Sequence, residues 1–374
     1  MTAARPEAGA AVGTGAGRGH RPTLALVGAT GAVGAVMLEL LSRGADIWGE
    51  IRLISSAAGP AAGPAGRTLS VRGAESEVRA LDEEAFEGAD VAVFLVPDEV
   101  AAQWVPVAVA KGAVVVDTSG AFRMDPDVPL VVPEINAHAV RVRPRGIVAG
   151  PGCTTLPLIA AMGALHAELG LSELVVSSYE AVSAAGQAGV AALRAQLAAV
   201  AGTELGTHPG DVRRTVGDAT GPFPAPVALN VVPWAGAPAE GGWSSAETAV
   251  REESRKILGR PDLPVSVTCV LVPVITGHSL SVHARFENEV TAERAHEILA
   301  NAPGVVVCDS PAEGEFPTPA DVVGTDPVWA GRLRCPPDDS RVLDLFLCGD
   351  NLRKGAALNA AQIAELVAAE LTAP

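Results

Sequence analysis

Basic and aromatic residues are both scarce in this chain of 374 residues. Lysine and arginine total 27 against 43 aspartates and glutamates, which gives a formal net charge of −16. Nucleic-acid binding depends on clustered basic side chains that neutralise phosphates, so this balance argues against a nucleic-acid partner. Aromatic residues make up 3% of the chain, whereas hydrophobic residues make up 48%. Alanine, valine and leucine must therefore supply most of the packing.

Cysteine is also infrequent, and its distribution argues against a disulfide framework and against a zinc site. The five cysteines are widely spaced and form no CxxC pair, as expected in a reducing cytoplasm. No apolar run reaches the roughly 18 residues that a membrane span needs. Residues 1–20 are rich in glycine and alanine and lack the apolar centre of a signal peptide. We predict a cytoplasmic protein with no metal and no membrane segment, preceded by a disordered extension over residues 1–20.

Short apolar runs alternate with helical patterns in the first third of the chain. Such alternation with short connections predicts a doubly wound, mostly parallel α/β sheet. After residue 153, longer alternating runs flanked by helical patterns predict a second domain of the α+β class. The predicted strands are 23–27, 51–55, 90–96, 113–117, 174–182, 265–272, 278–286 and 342–348. The predicted helices are 33–43, 99–111, 156–169, 187–200, 247–258, 291–301 and 356–371.

The segment GATGAVG follows the first predicted strand and opens the first predicted helix. Small residues let the backbone approach a pyrophosphate, and a helix N-terminus favours its charge, so this context predicts a nucleotide site. An ordinary tight turn is the alternative. Two serines end the second strand, where an acidic residue would bind the ribose of NAD, so NADP is favoured. The predicted cofactor-binding residues are Gly28, Thr30, Gly31, Ala32, Val33, Gly34, Ser55 and Ser56.

Cys153 lies in the segment GPGCTTLPL, directly before a predicted helix. The N–H groups and the positive end of the dipole at a helix N-terminus favour a thiolate. The tight turn is also expected to expose the sulfur. These features predict a reactive nucleophile, and a small buried hydrophobic residue is the alternative.

Four other residues could take part in chemistry, and each has a simpler explanation. His278 begins a predicted strand, where a lone histidine is usually structural unless it faces a thiol. Arg123 follows a buried strand in DTSGAFRMD, at the sheet edge where ligands bind, although a surface arginine would look the same. Glu253 and Lys256 are three residues apart on a predicted helix and could form a solvated ion pair.

Nine segments of the chain match segments of one known family, in the family's order. They are GATGAVG, DTSGAFRM, VVPEIN, the turn around Cys153, SSYEAVSAAGQAG, LNVVP, EESRKIL, VPVITGHSLSV and GDNLRKGAALNAAQIAE. In these segments, from about residue 23 to the C-terminus, the chain resembles the aspartate-semialdehyde dehydrogenase family. The resemblance implies a Rossmann-type NADP-binding domain over residues 21–152 and 349–374. It also implies an α+β catalytic and dimerisation domain over residues 153–348, and a homodimer or tetramer.

The resemblance further implies reversible, NADP-linked interconversion of an aldehyde and an acyl phosphate, with phosphate as co-substrate. Cys153 would attack the aldehyde carbon, and His278 would serve as acid and base. Arg123 and Lys256 would bind phosphate, and Glu253 would meet a substrate amino group. The implied residues are catalytic Cys153, His278 and Glu180, substrate-binding Arg123, Glu253 and Lys256, and cofactor-binding Asn351.

The site departs from the family pattern at three positions. Glu180 replaces a glutamine, Leu271 replaces an arginine that grips the substrate α-carboxylate, and Gly152 replaces an asparagine. Leucine cannot make that charge-assisted contact, and Arg285 should lie on the opposite strand face. Glu180 should repel an anionic substrate and raise the pKa of the thiol. The segment after the second strand also lacks the arginine that would bind the 2′-phosphate of NADP.

Three functions stay open at this point. The first is an NADP-dependent dehydrogenase of the aspartate-semialdehyde type, serving the synthesis of aspartate-derived amino acids. The second performs the same chemistry on a substrate that lacks the α-carboxylate. The third is a non-catalytic paralogue that binds a nucleotide or a partner protein. Retention of both Cys153 and His278 argues against the third function.

Overall fold

The computed structural model describes residues 21–58 and 66–373, so the predicted extension over residues 1–20 lies outside the described part. Most of the N-terminal elements form a parallel sheet with helices beside it, as predicted, and residues 68–77 form a separate antiparallel pair of strands. They are β1 (Leu24–Val27), α1 (Ala32–Arg43), β2 (Ile51–Ala58), β3 (Thr68–Val71), β4 (Ala74–Glu77), β5 (Arg79–Leu81), β6 (Val91–Phe94), α2 (Asp98–Ala110), β7 (Val114–Asp117), α3 (Pro133–Asn136) and β8 (Ile147–Ala149).

The order of the first sheet, β5-β2-β1-β6-β7-β8, places β1 near its centre. All residues of β1 and β6 are apolar and buried, as expected for parallel strands covered on both faces. From β1 the chain proceeds to β2 on one side and later returns to β6 on the other. Ligands bind outside the carboxyl ends of the strands at such a change of direction. The fold thus places the GATGAVG turn at a natural binding crevice.

The second group of elements forms a mixed sheet with helices. They are α4 (Thr155–Leu169), β9 (Leu171–Glu180), α5 (Gly186–Val200), α6 (Asp211–Val216), α7 (Ser245–Leu258), β10 (Val265–Leu271), β11 (His278–Phe286), α8 (Ala292–Ala300), β12 (Val305–Val307), α9 (Pro319–Val322), β13 (Val328–Arg334), β14 (Val342–Gly349) and α10 (Leu358–Leu371). The strand order is β10-β9-β11-β14-β13-β12. The central pairs are antiparallel, whereas the outer pairs β9–β10 and β12–β13 are parallel. Each parallel pair is joined by a crossover that contains at least one helix, as its geometry requires.

The side-chain alternation of β9 and β10 determines which residues face inward. Along β9 the even-numbered residues from 174 to 180 are buried, while Val175 and Tyr179 are exposed on the other face. The parallel register pairs Leu271 with Glu180. Both side chains therefore point to the same, inward face of the sheet.

The C-terminal helix α10 returns to the first sheet, where Ile363 and Val367 join the same core cluster as Leu24 and Leu26 of β1. The predicted helix over residues 356–371 begins later, at Leu358, because Arg353–Ala357 forms a π-helical turn. Such turns occur frequently at functional sites. Among the residues described, no helix is long and apolar enough to cross a membrane.

Candidate active site

Two glycines of the first turn are required by its geometry. Gly28 has a φ of +89°, a backbone conformation that favours glycine. A Cβ at Gly28 would lie 2.3 Å from the carbonyl oxygen of Leu95, the residue after β6. A Cβ at Gly34 would lie 2.3 Å from the carbonyl oxygen of Gly28. The turn therefore packs closely against the sheet, with no room for a side chain at these two positions.

The N-terminus of α1 suits a pyrophosphate. Its N-cap residue, Gly31, provides no side-chain hydrogen bond, and its first turn contains no acidic residue. The N–H groups of a first helical turn have no partners within the helix, so they attract an anion. Thr30, Ala32 and Val33 belong to the same turn. Ser55 is buried in β2, the strand that also contains Ser56. Contact of these residues with a cofactor stays a prediction.

The structure brings Cys153 and His278 together. Cys153 Sγ lies 3.3 Å from Nε2 of His278, although 125 residues separate them. Nδ1 of the same ring accepts a hydrogen bond from the backbone N–H of Ala181 at 3.0 Å. His278 therefore faces a thiol, which makes it a candidate catalytic residue and not only a structural histidine.

The prediction that the helix N-terminus favours a thiolate is wrong for the protein alone. Burial and, next in size, the Glu180 carboxylate raise the pKa of the Cys153 thiol to about 12, against the lowering effect of Arg123. Cys153 precedes the N-cap residue Thr154, so it lies outside the first turn, where the dipole acts most strongly. Desolvation of the charged sulfur therefore outweighs the helix.

Glu180 lies at the end of β9, and its side chain is 4% exposed. Its Oε1 accepts hydrogen bonds from Oγ1 of Thr154 at 3.0 Å and from Oγ of Ser178 at 2.9 Å. These bonds join the turn after Cys153 to the sheet. The expectation that Glu180 raises the thiol pKa is confirmed, whereas its catalytic role stays a prediction.

Arg123 forms an ion pair with the buried Glu253, with 3.0 Å between Nη1 and Oε1, and is itself partly buried. The second carboxylate oxygen of Glu253 accepts the backbone N–H of Gly152 at 2.8 Å. Arg123 also donates to the carbonyl oxygens of Gly150 and Thr118. A Cβ at Gly152 would lie 3.2 Å from Nη1 of Arg123 and 3.4 Å from Oε2 of Glu253. Glycine at this departure from the family pattern therefore leaves room for the ion pair.

Lys256 does not pair with Glu253, so the alternative of a solvated ion pair between them is wrong. Its ammonium donates to the carbonyl oxygens of Arg123, Asp125 and Val128 at 2.7 to 2.8 Å. A lysine ammonium has three donors, so all are used. Burial lowers its pKa. Lys256 thus fixes the segment after Arg123, and its direct contact with phosphate stays a prediction.

Asn351 is buried and joins two segments around the histidine. Its Oδ1 accepts the backbone N–H of Gly277 at 2.8 Å, and its Nδ2 donates to Oγ of Ser183 at 2.9 Å. Gly277 precedes His278, and Ser183 lies two residues after Ala181. The predicted contact of Asn351 with the cofactor stays a prediction.

Gly355 lies beside Cys153, a contact that the sequence did not reveal. It lies in the π-helical turn, where a Cβ would be 3.2 Å from the Cβ of Cys153. Lys354 anchors the turn by donating to both carboxylate oxygens of Glu134 at 2.7 Å. The sequence signal that could have indicated this contact is the adjacent lysine and glycine in the segment GDNLRKGAAL.

Leu271 is buried in an apolar cluster beside Glu180 and provides no charge there. The cluster includes Val182, Val227, Ala228 and Val232. Arg285 pairs with Asp339 at 2.6 Å, and its odd offset from His278 along β11 puts it on the opposite face. The expectation that Arg285 does not replace the missing arginine agrees with this geometry.

Two family models match the chain. The NAD-binding domain of semialdehyde dehydrogenase matches residues 23–142, and the semialdehyde dehydrogenase dimerisation domain matches residues 162–354. An aspartate-semialdehyde dehydrogenase of Streptomyces akiyoshiensis is 44% identical over 92% of this chain and 98% of its own length. The corresponding enzyme of Aquifex aeolicus is 38% identical over 93% of this chain and 98% of its own length.

Solved structures show the same architecture over nearly the whole chain. Aspartate semialdehyde dehydrogenase II of Vibrio cholerae, complexed with ASA, has a TM-score of 0.83 and 32% identity, covering 93% of this chain and 98% of that one. The Candida albicans enzyme with NADP has a TM-score of 0.68 and 21% identity, covering 95% and 100%. The second similarity concerns the fold alone.

Proposed function

Because the chain belongs to the semialdehyde dehydrogenase family, we propose that the site around Cys153 performs its reaction. The protein is an NADP-dependent, phosphorylating oxidoreductase of the aspartate-semialdehyde dehydrogenase type, which acts in amino-acid biosynthesis. The comparisons do not favour a non-catalytic paralogue or a different substrate class. One observation carries the assignment of the site, namely the 3.3 Å between Sγ of Cys153 and Nε2 of His278.

Cys153 is the nucleophile in this proposal, and four charged residues prepare its surroundings. The sulfur attacks the aldehyde carbon and gives a thiohemiacetal, and loss of hydride from that carbon gives a thioester. Phosphate then cleaves the thioester to an acyl phosphate and the free thiol. Arg123 is the cation for phosphate, because its ion pair with Glu253 holds it beside Gly152, the residue before Cys153. Lys256 supports that site by holding the carbonyl oxygen of Arg123. Glu253 provides the negative charge that would meet a substrate amino group, and Glu180 acts beside the thiol as a catalytic residue.

NADP, when bound, accepts the hydride that the aldehyde carbon loses. The turn from Gly28 to Gly34 and the N-terminus of α1 would hold its pyrophosphate, because Gly31 is exposed and the first-turn N–H groups have no partners within the helix. Ser55 and Ser56 would lie beside the ribose of NADP. Asn351 would contact the cofactor where the last part of the chain returns to the site.

The domain boundaries and the assembly belong to the same proposal. Residues 21–152 and 349–374 form the nucleotide-binding domain, which is supported by the packing of α10 against the first sheet. Residues 153–348 form the catalytic and dimerisation domain. The open face of the mixed sheet exposes Val175 and Tyr179, apolar surface that a second copy would cover in a homodimer. We place the enzyme in the cytoplasm, with phosphate as its second substrate.

The proposal is tested by phosphate-dependent reduction of NADP. Aspartate semialdehyde is assayed beside aldehydes that lack the α-carboxylate, with wild-type protein, Cys153→Ala and the matched control Cys308→Ala. We expect phosphate-dependent turnover that is lost in Cys153→Ala and kept in Cys308→Ala. Turnover that is independent of Cys153, or no turnover of any aldehyde, would contradict the proposed function.

A further inference from the structure

Two groups lie against the candidate nucleophile, the ring of His278 and the backbone of Gly355. Nε2 of His278 is 3.3 Å from Sγ of Cys153. A Cβ built on Gly355 would lie 3.2 Å from the Cβ and 3.4 Å from the Cα of the same cysteine. A residue with no side chain is what allows the two backbones to approach so closely. A shift of Gly355 would therefore move the cysteine relative to the histidine.

We propose that Arg353 and Lys354 are positioning residues for the nucleophile, which act by holding Gly355 against Cys153. The inference rests on the proposed function, with Cys153 as the nucleophile, and leaves the acid and base role of His278 unchanged. Arg353 and Lys354 directly precede Gly355 in the π-helical turn. Each forms ion pairs with a different part of the fold.

Lys354 joins the turn to α3. Its buried ammonium donates to both carboxylate oxygens of Glu134 at 2.7 Å and to Oε1 of Gln362 at 2.9 Å. Oδ1 of Asn359 lies further from it, at 3.3 Å. Glu134 lies in α3 and also accepts Nε2 of Gln362 at 3.1 Å. Lys354, Glu134 and Gln362 thus form a closed network that begins one residue before Gly355.

Arg353 joins the same turn to α1 and to the loop before β13. Its Nε and Nη2 donate to Oδ1 of Asp326 at 2.9 and 2.8 Å. Its Nη1 lies 3.3 Å from Oε1 of Glu39. Glu39 belongs to α1, and Asp326 lies between α9 and β13. Because the donors of a guanidinium point in fixed directions, Arg353 orients the turn as well as attracting the two carboxylates.

The start of the turn is fixed by the strand that pairs with the histidine. Gly349, the last residue of β14, is paired with His278 of β11. The carbonyl oxygen of the next residue, Asp350, accepts the N–H of Gly355 at 3.0 Å. Oδ1 of Asp350 also accepts the backbone N–H of Arg353 at 3.1 Å. The ring that faces the sulfur and the glycine that packs against the cysteine are therefore connected through β14.

Stability alone does not account for the buried pair of Lys354 and Glu134. Burial lowers the pKa of Lys354, against the raising effect of Glu134, because the charged ammonium loses its water. Replacement of such a pair by apolar side chains of similar volume is often neutral or stabilising. Apolar side chains cannot reproduce the directed bonds to both carboxylate oxygens. The pair should therefore differ from an apolar substitute in the position that it gives to Gly355.

Steady-state kinetics of the full-length enzyme separate positioning from stability. Lys354→Met with Glu134→Leu replaces the buried pair by apolar side chains. We expect kcat to fall about tenfold to 10²-fold, because small misplacement of reacting groups is costly. The KM for NADP and the thermal unfolding temperature should stay near their wild-type values. Wild-type kcat in this variant would overturn the role of Lys354.

Arg143→Met with Glu370→Leu is the matched control. This ion pair also joins α10 to the first part of the chain, with two bonds of 2.9 Å, but it lies at the far end of the helix from Gly355. The control should keep wild-type kcat. A loss equal to that of the Lys354 variant would overturn the proposal, because any contact of α10 would then suffice.

Asp326→Asn with Glu39→Gln tests Arg353 in a variant that keeps every buried side chain, since both carboxylates are partly exposed. It also decides the matter if the Lys354 variant does not fold. We expect kcat to fall about tenfold, with the unfolding temperature of the control variant. Wild-type kcat, or a lower unfolding temperature with wild-type kcat, would overturn the role of Arg353.

Combination with Gly355→Ala shows whether the ion pairs act through Gly355. Changes that act on the same group are not additive, whereas the effects of independent changes on the rate multiply. The variant that carries Lys354→Met, Glu134→Leu and Gly355→Ala should therefore lose less kcat than the product of the separate losses. The full product would overturn positioning through Gly355. Failure of the proposed function is distinct, because the wild-type enzyme would then show no phosphate-dependent turnover of any aldehyde.

Discussion

Leu271 and Glu180 lie side by side on the inward face of the mixed sheet, as paired residues of adjacent parallel strands. Both side chains are buried. The pair combines an apolar group with a carboxylate, so it presents no cation to a substrate. The family pattern has arginine and glutamine at these positions, and the difference bears on how the substrate α-carboxylate is held.

Replacing Leu271 by Arg together with Glu180 by Gln should raise kcat/KM for aspartate semialdehyde. The new guanidinium would add charge-assisted bonds, each worth about 1.5–3 kcal/mol, or about ten- to hundredfold. Leu271→Lys with Glu180→Gln is the matched control and should gain less, because an ammonium cannot form the bidentate contact. An unchanged kcat/KM in the arginine variant would mean that the carboxylate is held elsewhere.

Glu180→Gln alone should lower the pKa of the Cys153 thiol, because the carboxylate is the second largest cause of its elevation. Each unit of decrease raises the thiolate fraction about tenfold at a pH below the pKa. The rate of alkylation by iodoacetamide as a function of pH measures this change. Glu297→Gln, on an exposed part of α8, should leave the profile unchanged. An unaltered profile in Glu180→Gln would show that burial alone sets the thiol pKa.

Gly355→Ala should lower kcat while the protein stays folded. The added methyl group would lie 3.2 Å from the Cβ of Cys153, so the nucleophile must move by a few tenths of an ångström. Small misplacement of reacting groups can cost about 10²-fold in rate. Steady-state kinetics and a thermal unfolding curve measure the two effects. Ala356→Ser, in the same turn, should keep full activity, and an equally active Gly355→Ala would show that the thiol tolerates displacement.

Lys256→Met should destabilise the protein and lower its activity together. Removal of the ammonium takes a donor from three carbonyl oxygens, of which, among the described residues, only that of Asp125 keeps a backbone N–H, from Val128. An unsatisfied buried group costs about 1–3 kcal/mol. Chemical unfolding measures the loss, with Lys111→Met, a partly exposed lysine, as control. A higher KM for phosphate with unchanged stability would instead support direct phosphate binding by Lys256.

The sequence was sufficient to predict the doubly wound sheet and the GATGAVG turn between β1 and α1, because hydrophobic periodicity and glycine spacing are local signals. The assignment of Cys153 as the nucleophile stays a prediction. The sequence could not predict the thiol pKa, since desolvation of Cys153 and the charge of Glu180 arise from tertiary packing. The hydrogen bonds of Lys256 to three carbonyl oxygens could not be predicted from the sequence either. Those acceptors are more than 100 residues away in the chain.

Short and irregular elements could not be predicted from the sequence either. β3 and β4 are four residues long and mostly exposed, so they carry little hydrophobic pattern. The π-helical turn over Arg353–Ala357 resembles a normal helix in sequence. Its significance depends on the close approach of Gly355 to Cys153, a contact between segments 202 residues apart.

The most direct test of the account is a single-turnover experiment without phosphate. Wild-type protein mixed with NADP and aspartate semialdehyde should produce NADPH in an amount equal to the active protomers. Mass spectrometry should then find the acyl group on the peptide that contains Cys153, and added phosphate should release it. Cys153→Ser should give neither the burst nor the adduct. A full burst in Cys153→Ser, or an acyl group on another residue, would contradict the central claim.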